Sequence, residues 1–180
     1  MKISKAYGGV TLGCAVITGT CQMMQNLERM QRQFTYENDY MEFKFNDMHQ
    51  KEIGDDTAQF GYPDDGNGRY TQGRQYADWY YMNVTKRVIQ NDLEHITTII
   101  PLSLVTGLFN PYPTIGLLST YFLGRVLYTK GYFMPEGALN KQRMVGSVLC
   151  NLSHVGVLGL TIYTAVMLRR GRLAKFIIPK

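Results

Sequence analysis

Acidic charge is nearly missing from the second half of this 180-residue chain. Of its 14 aspartates and glutamates, 13 fall between Glu28 and Glu94, and only Glu136 lies beyond. A soluble fold rarely segregates charge in this way. Cysteine is scarce: Cys14, Cys21 and Cys150 are odd in number and form no CxxC pair. That argues against a disulfide framework and a zinc site, and leaves the three as small hydrophobes in helices. His49, His95 and His154 match no metal-ligand spacing, so no metal is expected. Nothing resembling a nucleic-acid-binding motif accompanies the net charge of +5, and there is no internal repeat. The basic residues Arg169, Arg170, Arg172, Lys175 and Lys180 follow an apolar run, a placement that fits membrane flanking better than nucleic-acid binding.

What the chain does have is apolar runs of membrane length. The clearest is "GSVLCNLSHVGVLGLTIYTAVML", 146 to 168, which holds no formal charge. A bilayer core takes about 20 apolar residues in a helix. "YPTIGLLSTYFLGRVLY", 112 to 128, reads as a second span with Arg125 near its end. Residues 88 to 109 read as a third, with polar groups crowded at the front. "AYGGVTLGCAVITGTCQMM", 6 to 24, reads as a retained span. Its four glycines suit close packing between membrane helices, and no convincing cleavage site follows it. The expectation is an all-α fold, an integral membrane four-helix bundle in one domain over 1–180. Its spans are placed at about 5–25, 80–109, 112–132 and 145–169, with both termini on one side. A long, polar, aromatic-rich first connector, 26 to 78, contains the turn-rich "GYPDDGNGRY".

The third run carries the most expensive groups. Arg87, Asn91 and Glu94 are spaced i, i+4 and i+7 and share one helix face within about 40°. That face offers a guanidinium, an amide and a carboxylate, which suits a zwitterionic ligand. Arg125, Tyr128 and Tyr132 follow at i, i+3 and i+7 on the next helix. The bland alternative has equal standing on spacing alone. Arg87 and Glu94 would pair with other helices, Arg125 would snorkel, and Asp92 would meet His95 at i+3. Ionisable groups inside a membrane nevertheless raise the expectation of function.

"RVIQNDLE" has the form Arg-x-x-x-Asn-x-x-Glu, and "GRVLYTKGY", 124 to 132, follows about thirty residues later. With "GYPDDGNGRY", "LFNPYP" and Gly146-Ser147, they resemble the membrane-associated proteins in eicosanoid and glutathione metabolism, the MAPEG family. The type-3 microsomal glutathione S-transferases look closest. The resemblance covers Phe60 to Ser147 and weakens before it. It implies a homotrimer that binds glutathione, as substrate, between subunits, with an arginine stabilising the thiolate. Carried over by position, Arg87, Asn91, Glu94, Tyr128 and Tyr132 match glutathione contacts, and Arg125 joins them as a candidate binding residue. Arg32 matches an arginine at the end of the family's first helix. Lipid is a further candidate ligand and membrane lipid an expected partner; nucleic acid is not.

The sequence also departs from the family pattern. Arg87-Val88-Ile89 stands where Arg-Ala-His or Arg-Ala-Gln is common. Leu139 falls where leukotriene synthases of the family carry the thiolate-stabilising arginine, with Lys141 and then Arg143 just beyond. His95 stands where some members have tyrosine. Arg143 and Arg32 are therefore the candidate catalytic cations. Two function classes follow. One is a glutathione transferase or peroxidase of an endoplasmic reticulum or mitochondrial membrane. The other is a non-catalytic subunit of a larger membrane complex, with a mitochondrial respiratory assembly as the example. An ion-conducting role ranks third, since no span has a repeated polar lining.

Overall fold

The computed structural model describes residues 3–35, 38–57 and 66–171, apart from the side chains of 32–42. The described chain is all-helical, with five α-helices: α1 (Tyr7–Thr35), α2 (Asn38–Ile53), α3 (Tyr76–Gly107), α4 (Pro111–Tyr132) and α5 (Lys141–Arg169). Single 3₁₀ turns cover Arg69–Thr71 and Gly137–Leu139. Much of the polar stretch 26–78 is thus helical: α1 continues to Thr35 and α2 adds the 16 residues Asn38–Ile53. Helix α3 begins at Tyr76 and α5 at Lys141, each ahead of its apolar run. Polar residues extend a helix readily once an apolar segment has nucleated it.

Only α5 among the described helices is both long and apolar enough to cross a membrane by composition. The others are diluted by identifiable residues. Glycine and threonine lower α1, the Arg87–His95 segment lowers α3, and tyrosines, prolines and Arg125 lower α4.

The chain divides into two compact units, Met1–Cys21 with Gln90–Lys180, and Gln22–Ile89. In the first, Val10, Cys14 and Ile17 recur at i, i+4 and i+7 on α1. They pack with Ile99, Leu118, Tyr121, Cys150 and Val157 into one buried cluster. All three cysteines are buried, and none forms a disulfide among the described residues. The Tyr7 hydroxyl donates to the Leu104 carbonyl at 3.3 Å. At the α3–α4 turn, Pro111 opens α4 with its fixed φ. Asn110 Nδ2 there donates to Thr164 Oγ1 of α5 at 2.9 Å.

Helices α4 and α5 approach most closely, through glycine. A Cβ on Gly124 would lie 3.0 Å from both Cys150 N and Gly146 O. One on Gly131 would collide with Arg143 backbone, and one on Gly146 with Tyr128 N. Since these neighbours are main chain, they cannot rotate aside. Close backbone approach of this kind is how membrane helices gain packing without hydrophobic drive.

The second unit is built on α2 and the start of α3. Phe45 meets Tyr70 edge-on at 4.9 Å. Asn46 Oδ1 accepts from Thr57 N at 2.9 Å. Gln50 and Asn46 donate to Asp56, and these two bonds hold the Asp56 carboxyl below the usual carboxylate range. Gly66 has φ of +92°, in the left-handed region, and a side chain there would run into Met82.

Candidate functional site

Arg125 is the centre of the polar cluster in the first unit. It sits on α4 one turn after Tyr121 and is buried. Its Nε lies 3.0 Å from Asp92 Oδ1, an ion pair by distance rather than an aligned hydrogen bond. Its Nη1 donates to Asn91 Oδ1 at 2.8 Å, and its Cζ stands 4.8 Å over the Tyr128 ring. The Tyr121 hydroxyl donates to Asp92 Oδ1 at 3.2 Å. Neighbouring residues of α3 therefore bind the same guanidinium, one by charge and one by an amide oxygen.

This arrangement corrects two readings. Arg125 does not snorkel to solvent. Asp92 is not a local partner of His95: it reaches across to α4, because i+4 spacing puts Tyr121 and Arg125 on one face opposite it. His95 instead lies 6.1 Å from Tyr121 and 5.4 Å from His154, ring to ring. Thr98 Oγ1 and His154 Nε2 are 2.9 Å apart.

Arg143 forms the other half of the cluster. It lies in the first turn of α5, which Asn140 caps by accepting from Gln142 N at 2.8 Å. Its Nη1 donates to the Ala138 carbonyl at 3.0 Å. Its guanidinium stands 5.3 Å over the Tyr132 ring and 5.7 Å over Tyr128. The two tyrosines meet edge-on at 5.1 Å. The Gly131 contact fixes this geometry, since it seats the Arg143 backbone directly on α4. Arg143 Nε is buried and has no hydrogen-bond partner.

The structure thus brings together Asn91, Arg125, Tyr128, Tyr132 and Arg143, and adds Asp92 and Tyr121. Glu94 is exposed, with no ion pair among the described residues. Arg87 belongs to the other unit and is exposed there. Arg32 lies in α1, but its side chain is outside the described residues. Leu139 ends the 3₁₀ turn before α5 and is 82% exposed. Spacing had no way to pair Asp92 with Arg125 across helices, though Gly124 and Gly131, seven apart, do mark the α4 face that packs closely.

One strongly apolar helix among those described and an ion pair buried between helices fit a membrane bundle, and the family match is what assigns the class. Residues 48–165, well over half of the chain, match the model of the MAPEG family, and the chain belongs to that family of membrane helical bundles. Comparison with curated proteins and with solved structures gave no match.

Proposed function

We propose that the protein is a membrane glutathione transferase or peroxidase of the type-3 microsomal kind, with Arg143 as the cation beside the thiol. The observation that carries this is the Arg143 guanidinium over the paired Tyr128 and Tyr132 rings. Helices α1, α3, α4 and α5 are read as the four spans, in the endoplasmic reticulum or a mitochondrial membrane. The family supports a protein of glutathione or eicosanoid metabolism. Glutathione itself and a trimer are part of the proposal.

Arg125 is already held by Asp92 and Asn91, so its role is to fix the pocket wall. Arg87 and Glu94 are exposed in the single chain. Charged groups on a membrane helix need protein or water beside them, which supports a neighbouring subunit there. Arg143 would lower the thiol pKa from about 8.5, each unit corresponding to about 1.4 kcal/mol. The thiolate then attacks an electrophilic carbon, forming the C–S bond as the leaving group departs with the electron pair. With Leu139 in place of an arginine, the expected rate is low.

That leucine favours the second reading, a non-catalytic subunit of a larger membrane complex. One preparation tests both. Purified protein is assayed for thiolate by ultraviolet absorbance and for conjugation, wild type against Arg143→Ala and Arg32→Ala. A slow rate lost in Arg143→Ala supports the transferase. No thiolate, with co-purification of many other chains, leaves the structural reading.

A further inference from the structure

The second unit contains a pocket that the thiol chemistry does not use. It measures about 620 Å³, within the range of small-molecule sites. Helix α2 supplies one wall: Phe45, Met48, His49, Glu52 and Ile53 line it at i, i+3, i+4, i+7 and i+8, a single helical face. Phe45 to Ile53 spans about 12 Å along the helix. The 67–70 segment and Lys86 of α3 close the other side.

The wall is mixed in character. Phe45, Met48, Ile53 and Tyr70 make an apolar strip, while Arg69, Lys86 and Glu52 bring charge of both signs. Among the described residues the Arg69 guanidinium donates only to the Met48 sulfur at 3.6 Å, a weak acceptor for a group with five N–H donors. Among the described residues Glu52 has no ion pair, and none joins it to Arg69. A cation and an anion therefore share one pocket without neutralising each other, beside a strip about one short alkyl chain long.

We propose that this pocket binds a glycerophospholipid with a primary-amine headgroup. Its phosphate takes Arg69, its ammonium takes Glu52, and the start of one acyl chain lies along Phe45, Met48 and Ile53. A phosphate matches the planar guanidinium fork. A primary ammonium donates N–H to a carboxylate and a trimethylated one does not, so Glu52 sets the headgroup preference. The site lies apart from the Arg143 chemistry, and its fate is independent of that reading.

The test is calorimetric titration of the full chain with dihexanoyl phosphatidylethanolamine, dihexanoyl phosphatidylcholine and inorganic phosphate. Wild type should bind the ethanolamine lipid at one site per chain, about tenfold more tightly than the choline lipid. Arg69→Gln should weaken both by about tenfold. Glu52→Gln should abolish the preference while keeping choline-lipid affinity. Both side chains are exposed, so unchanged thermal melting should accompany each variant. Equal or tighter choline binding would mean that the Phe45–Tyr70 aromatics read the cation, and would overturn the proposal. So would competition by inorganic phosphate at the same affinity, or binding indifferent to both substitutions.

Discussion

Gly146→Ala isolates the packing that holds the cluster. The added methyl would be driven into Tyr128 N and within 2.8 Å of Tyr128 Cα, and 2.6 Å from Gly124 O. No rotamer relieves a clash with main chain, so α4 and α5 must separate. Overpacking of this kind costs about 1–3 kcal/mol, and the better helix propensity of alanine returns up to about 1 kcal/mol. The net loss is then roughly 0–3 kcal/mol, or a fall in melting temperature of up to about 12 °C for a chain of this size, and the gap to a glycine whose replacement meets no clash stays at about 1–3 kcal/mol. Gly159, on the same helix, is the internal control, because a Cβ there meets nothing within 4 Å. Gly159→Ala should be neutral or stabilising. Thermal unfolding by circular dichroism in one detergent compares the two. If Gly146→Ala melts no lower than Gly159→Ala, the glycine contact does not organise the α4–α5 interface and the argument for Arg143's placement fails with it.

Asp92→Ala leaves buried Arg125 without its carboxylate and should cost about 3 kcal/mol or more; the double variant Asp92→Ala/Arg125→Leu should cost less than the two singles summed, read by the same melts. Asp56 is held ionised by the Gln50 and Asn46 donors, so its contribution is present above the ordinary carboxylate pKa of about 4 and is lost as pH falls through its lower folded value. Protection of the 46–57 amides, corrected for the intrinsic pH dependence of exchange, should fall below that range in wild type and stay nearly constant there in Asp56→Asn. Tags on the two termini should show equal protease access in sealed vesicles, and opposite access would remove the four-span arrangement.

The apolar runs were readable because a helix needs only length and hydropathy to be recognised; α4 and α5 start within a few residues of where their runs begin, while α3 starts at Tyr76, twelve residues ahead of its run. The helix α2 was not readable, since "NDYMEFKFNDMHQKEI" scatters its six apolar residues among polar ones and sits beside turn signals. Same-helix spacing placed Tyr128 with Tyr132 correctly on one face. The Asp92–Arg125 pair escaped it, because which residue of α3 meets which residue of α4 depends on the rotation of both helices. Leu139 and Arg143 show the same limit: a 3₁₀ turn and a cap fix where α5 begins, and that decides which side chain meets the tyrosines.

The α3–α4 hairpin works as a ruler. Asp92 lies fifteen residues before Gly107, the end of α3, and Arg125 fourteen after Pro111, the start of α4, about 22 and 21 Å at the rise of a helix. The agreement is what lets them meet. If the hairpin turn marks one face of a hydrocarbon layer about 30 Å thick, the pair stands about 8 Å short of the opposite face. A bilayer thinned to about 22 Å would bring headgroup water to the guanidinium, and a thicker one would sink it further. Acyl-chain length thereby becomes a variable that sets the cost of keeping this charge pair, and with it the shape of the wall on which Tyr128 and Arg143 rest.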